Sequence, residues 1–157
     1  MTRIDIQDVS LDKRCQIANE SQADLFVSIH TNAAAKDGWS TAMGWECCII
    51  AKGGQAEIAA GYIHDESIQA LGVKDRGIKV ANYQVLRDTS MPAVLVEHGF
   101  HTNKAEVELL KSDAFRAKCA EADARGICTY FNMPWRPAVT SISIDELKKM
   151  GISGITF

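Results

Sequence analysis

The sequence predicts an α/β fold: a mostly parallel, twisted sheet with helices on both faces, in three α/β/α layers. Three observations carry that reading. Apolar runs of strand length alternate with segments of helical period. Turn signals such as Lys52-Gly53-Gly54 and Gly72 separate them. Two of the runs, DLFVSIHTN (24–32) and PAVLVEHGFHTN (92–103), end on His30 and Glu97, groups able to do proton or metal chemistry. Open α/β sheets present functional groups in this way, at the C-terminal ends of strands.

In chain order, residues 1–9 are a polar lead-in, and Ser10 can cap a helix over about 11–22. Leu11, Cys15 and Ala18 share one face of it, with Ile17 alongside. A strand over 24–30 follows, then a small, polar loop over 31–43. WECCIIA (45–51) is the second strand. Residues 55–71 form a helix with Ala56, Ala59, Ile63, Ala70 and Leu71 inside and Glu57, Asp65 and Glu66 in water; Gly72 stops it. KDRGIK (74–79) reads as a charged turn, and 83–86 as a short third strand. A turn over 88–90 leads into the strand 93–97. Asn103 caps a short helix over 104–110, and Ser112 or Asp113 starts a longer one lined by Phe115, Cys119, Ala122, Gly126 and Tyr130. Composition shifts at Met133. Residues 1–132 are read as the domain. Residues 133–157, with the proline-containing PWRPAVTSIS and a helical stretch over 144–150, are read as a linker or the start of a further module.

A chain of 157 residues, 46% hydrophobic and 24% charged, is long enough for one domain with a real core. Its formal net charge of −3 offers no general attraction for nucleic acid or a membrane surface, and a monomer is expected. Five cysteines, an odd number without a CxxC pair, argue against a disulfide framework and are read as small core residues. No apolar run approaches the ~20 residues that span a bilayer. The charges after Met1 leave no room there for the apolar core of a signal peptide.

A neutral imidazole at a strand end, such as His30, is held rigidly enough to ligate zinc; it fits a histidine hydrogen-bonded at a sheet edge equally well. Glu97, partly desolvated at the end of an apolar strand, can be a general base, a ligand, or an acid paired with Lys or Arg. His98 points to the other side of its strand from Glu97. His98 and His101 are given surface or supporting roles, and His64 is expected in solvent. Arg76, in Asp75-Arg76-Gly77, can offer a cation to an anionic substrate, or simply belong to a turn. There is no GxSxG elbow, P-loop or GxGxxG.

DKRCQIANESQADLFVSIHTNAA and DRGIKVANYQVLRDTSMPAVLVEHGFHTNKAEVELL resemble two blocks of the zinc-dependent N-acetylmuramoyl-L-alanine amidases (type 3), in order and in spacing. The likeness covers about 2–131. It implies hydrolysis of the amide between N-acetylmuramic acid and the L-alanine of the peptidoglycan stem, at the cell wall, by a zinc-activated water. It places a zinc-ligand histidine on His30 and the catalytic acid/base on Glu97. Asn32 and Arg76 are the substrate-binding candidates. Family members also carry an earlier block, a strand ending in G-H-G-G and a glutamate beyond it, that supplies the other two zinc ligands. Nothing here matches that block, so an N-terminally truncated domain is expected, with an unpaired sheet edge, weak zinc binding and little hydrolysis by this chain alone. Glu46, His64, His98 and His101 are the remaining donors, none at a family ligand position. Two rival expectations are a non-catalytic peptidoglycan-binding or regulatory remnant, and an unrelated hydrolase using Glu97 and His101 without metal.

Overall fold

In a computed structural model of the chain, residues 1–2 and 7–137 are described. The helical stretch expected over 144–150 lies outside them, as does most of the expected tail. Among the described residues, nine elements follow in order: α1 (Leu11–Glu20), β1 (Phe26–Asn32), β2 (Trp45–Ile49), α2 (Gln55–Leu71), β3 (Asp75–Val80), α3 (Gln84–Arg87), β4 (Ala93–Phe100), α4 (Lys104–Lys111) and α5 (Asp113–Tyr130).

The sheet has the order β1-β4-β2-β3. The pairs β1–β4 and β2–β3 are parallel, and the central pair β4–β2 is antiparallel. The sheet is therefore mixed, with its parallel pairs on the two flanks. Alternation along the strands sorts the core into two layers. Phe26, Cys48, Ala93 and Leu95 pack with Cys15 and Ala18 of α1 and Val85 and Leu86 of α3. Trp45, Cys47, Ile49, Val94 and Val96 pack on the other face with Ala59, Ala60 and Ile63 of α2, against which Ile127 of α5 also lies. Four of the five cysteines are buried and all are free thiols, in keeping with their reading as core residues.

Helix starts follow local chemistry. Ser10 accepts from the Lys13 amide, Asn103 from the Ala105 and Glu106 amides, and Ser112 from the Phe115 amide, each satisfying donors at an N-terminus. Gly72 adopts φ 61° at the end of α2, a left-handed cap that glycine takes without strain. The buried stripe of α2 is Ala59, Ala60, Ile63 and Ser67, while Ala70 is exposed. Gly126 sets how closely α5 approaches it: a Cβ there would lie 2.5 Å from the Ile63 Cα.

Two readings are corrected. Residues 75–80, most of them in the charged turn expected over 74–79, form strand β3. Its charges read as a turn because Arg76 and Lys79 are matched by a carboxylate on the neighbouring strand, which a local pattern does not reveal. The third strand expected over 83–86 is instead replaced by the short helix α3 over 84–87. A four-residue segment is too short for periodicity to separate helix from strand. Strand β1 pairs on one side only among the described residues, and Ile29 on it is 59% exposed.

His98 and Asp123 form a buried ion pair joining β4 to α5, with Nε2 2.8 Å from Oδ2. A surface role for His98 is thereby corrected. Burial opposes its charge, but the Asp123 carboxylate outweighs that and raises its pKa from 6.5 to about 9. A histidine raised on folding contributes stability fully below its unfolded value and loses it as pH rises through the folded one. Denaturant midpoints should therefore fall between pH 6.5 and pH 9 in the wild type, and fall less over that range in His98→Leu/Asp123→Leu. Asp123→Ala alone leaves the buried imidazole without its partner and, since burial opposes its charge, uncharged at neutral pH; losing that hydrogen bond should cost about 1–3 kcal/mol.

Candidate functional site

The register sets the site. His30 of β1 is the direct partner of Glu97 of β4, and Glu97 is the direct partner of Glu46 of β2. The three side chains continue the face that Phe26, Leu95 and Cys48 occupy, so they form one row across three adjacent strands. The convergence of His30 and Glu97 expected from two strand ends is present as shared register and shared face.

Glu46, named from the sequence only as a remaining donor, joins this row, and its partners were not foreseen. Only 6% of it is exposed. Its Oε1 accepts from Asn32 Nδ2 at 2.8 Å, and its Oε2 from Arg76 Nε at 2.6 Å and Lys79 Nζ at 2.5 Å. Burial opposes its ionisation, but the two cations outweigh that and hold the carboxyl below the usual range. The signal was a lone carboxylate inside WECCII, with two cations three residues apart in RGIK.

Glu97 experiences the opposite balance. It is partly buried, and its Oε2 has no hydrogen-bond partner among the described residues. Burial first, and then the fixed charge of Glu46, raise its pKa from 4.5 to about 7. A carboxyl poised there is populated in both protonation states near neutrality, as an acid/base catalyst must be. Tyr83, which precedes α3, lies near enough that burial and the charges of Cys48, Glu97 and Glu46 raise its hydroxyl pKa.

The other candidates separate. His30 is exposed at the strand end, with Nε2 2.9 Å from Ser28 Oγ, and borders a groove of about 580 Å³ running beside β1 and α1. His101 is exposed and bonds Thr31, with Nδ1 3.1 Å from its Oγ1. His64 is not simply in solvent: its ring bridges Asp65 and Asp75 at 3.0 Å each and meets Trp45 edge-on. His98 faces the opposite layer. Among the described residues, no three His, Cys, Asp or Glu side chains come together as a metal-ligand group.

Comparison with known proteins places these features. Residues 1–129 match the family N-acetylmuramoyl-L-alanine amidase (Amidase_3). The chain is 37% identical to the amidase CwlM of Bacillus licheniformis over 133 residues, covering 85% of the chain and 51% of that protein. It is 42% identical to the endolysin of Bacillus phage SPP1 over 124 residues, covering 76% and 45%. The chain thus spans about half the length of these relatives. Among solved structures it is similar to the catalytic domain of CwlV from Bacillus (Paenibacillus) polymyxa var. colistinus, with TM-score 0.77 and 34% identity over 85% of this chain and 72% of that one. An amidase from Clostridium difficile 630 gives TM-score 0.77 and 34% identity over 83% and 70%.

A carboxyl raised on folding opposes stability once ionised. The wild type should therefore lose stability as pH climbs from 4.5 through 7. Glu97→Gln keeps the shape without the charge. Its denaturant midpoint should exceed that of the wild type at pH 8 and converge with it at pH 4; a deficit at pH 8 would contradict the burial of an unsolvated carboxylate there.

Proposed function

Because the chain belongs to the N-acetylmuramoyl-L-alanine amidase family, we propose that it cleaves the amide between N-acetylmuramic acid and the L-alanine of the peptidoglycan stem, at the bacterial cell wall, with Glu97 as the general acid/base. Family membership sets aside the reading as an unrelated hydrolase built on Glu97 and His101. One observation carries the chemical role: Glu97 is the partly desolvated carboxyl, raised to about 7, on the same face as His30. It can take the proton of a water attacking the amide carbonyl and later hand that proton to the departing amine. Asn32 and Arg76, anchored to Glu46 beside it, are the proposed substrate contacts.

His30 is the proposed ligand for the zinc that the sequence resemblance implies. Zinc would supply a polarised carbonyl and an acidified water. A catalytic zinc site takes three protein ligands and an open position. The described residues bring no such trio together, so they do not fit a complete site. That same observation favours a second reading, a peptidoglycan-binding module that does not hydrolyse.

New L-alanine amino termini released from purified peptidoglycan test both readings. The amidase reading expects release that falls about 10²-fold or more in Glu97→Gln. Release unaffected by Glu97→Gln would remove the catalytic role. Absence of release, with retention on peptidoglycan that persists in chelator, would establish the second reading.

A further inference from the structure

The structure assigns Arg76 and Lys79, gathered by Glu46, to a subsite for a carboxylate of the bound peptide beside Glu97. The identity of the peptide rests on the amidase reading; the subsite itself rests on geometry.

The first observation is backbone. Residues three apart on a regular strand point to opposite faces. Between the pairs Trp45–Asp75 and Cys47–Ile78, β2 advances two residues and β3 advances three. The extra residue is accommodated at Gly77, whose φ of 75° favours glycine. This bulge returns Arg76 and Lys79 to one side of the strand, where both reach Glu46. Without it, one of the two would turn toward the α2 layer.

The second observation is charge. Two cations meet one buried carboxylate, an excess of one positive charge within that trio, beside Glu97, which is only partly ionised near neutrality. The carboxylate's contacts occupy only part of each cation. Arg76 uses Nε, its terminal nitrogens make no hydrogen bond among the described residues, and its guanidinium stacks 4.9 Å from the Phe100 ring centre. Lys79 makes one hydrogen bond, and its side chain is 41% exposed. A guanidinium fixed by stacking, with its outer nitrogens open, suits two-point recognition of a carboxylate.

The third observation concerns Glu46. A buried ion cluster adds little stability over well-packed apolar side chains. Placing one in the apolar run WECCI, where its neighbours Trp45, Cys47, Cys48 and Ile49 are all buried, fits a positioning role for Glu46 better than a structural one.

The test measures binding, separately from hydrolysis. Two muramoyl dipeptides, identical except for a carboxylate or a carboxamide on the second residue, are titrated into the whole chain by calorimetry. The acid form should bind about tenfold more tightly than the amide, as a charge-assisted hydrogen bond to an exposed cation allows. Lys79→Gln, which leaves Glu46 its Asn32 and Arg76 donors, should reduce that preference, and Arg76→Gln should abolish it, with circular dichroism checking that each variant is folded. Equal affinities for the two dipeptides, no binding of either, or a preference unchanged in Lys79→Gln would overturn the subsite. Carboxylate preference in a chain that releases no amino termini would retain the subsite and remove the amidase reading instead.

Discussion

The candidate site depends on strand register. Because successive side chains alternate faces, a slip of one residue between β1 and β4 would send His30 to the opposite layer from Glu97. The observed pairing avoids this. Phe26, Ser28 and His30 stand beside Ala93, Leu95 and Glu97, and the first and last pairs of that ladder differ only in chemistry. At the inner end the pairs are apolar and pack on α1 and α3; at the outer end they are ionisable. Glu46 extends the row onto β2. The apolar end fixes the register, and the register positions the ionisable end.

The row places two carboxylates in direct register on adjacent strands, which would be unfavourable if both were alike. The fold separates their roles. Glu46 receives three hydrogen-bond donors and stays charged, while Glu97 keeps a bare oxygen and is pushed toward neutrality. Two acids whose surroundings move them in opposite directions give the sheet one fixed charge and one mobile proton. The antiparallel central pairing permits this, since it brings the start of β2 beside the end of β4.

Much of this was legible in the amino acids, unevenly. His30 and Glu97 stood out because each ends an apolar run, a signal contained within about ten residues of chain. Asn103 and Ser112 declared helix starts through chemistry that is equally local. Glu46 did not, because its partners Arg76 and Lys79 lie 30 and 33 residues away. For the same reason β3 looked like a charged turn. Its cations are matched across the sheet, and its bulge breaks the alternation that identifies a strand. The α3 segment was misread for the opposite reason: Val85 and Leu86 are buried side by side, and adjacent burial carries no period. His98 looked like an ordinary polar residue until Asp123, 25 positions on, was seen against it.

Glu97 carries a mobile proton because burial and the fixed charge of Glu46 hold its carboxylate back. Observing that carboxyl carbon by NMR across a pH titration tests it most directly. The account predicts a midpoint near 7 in the wild type and a clear fall in Glu46→Gln, where the fixed negative charge is gone. A wild-type midpoint at the ordinary 4.5, or one that Glu46→Gln leaves in place, would contradict it.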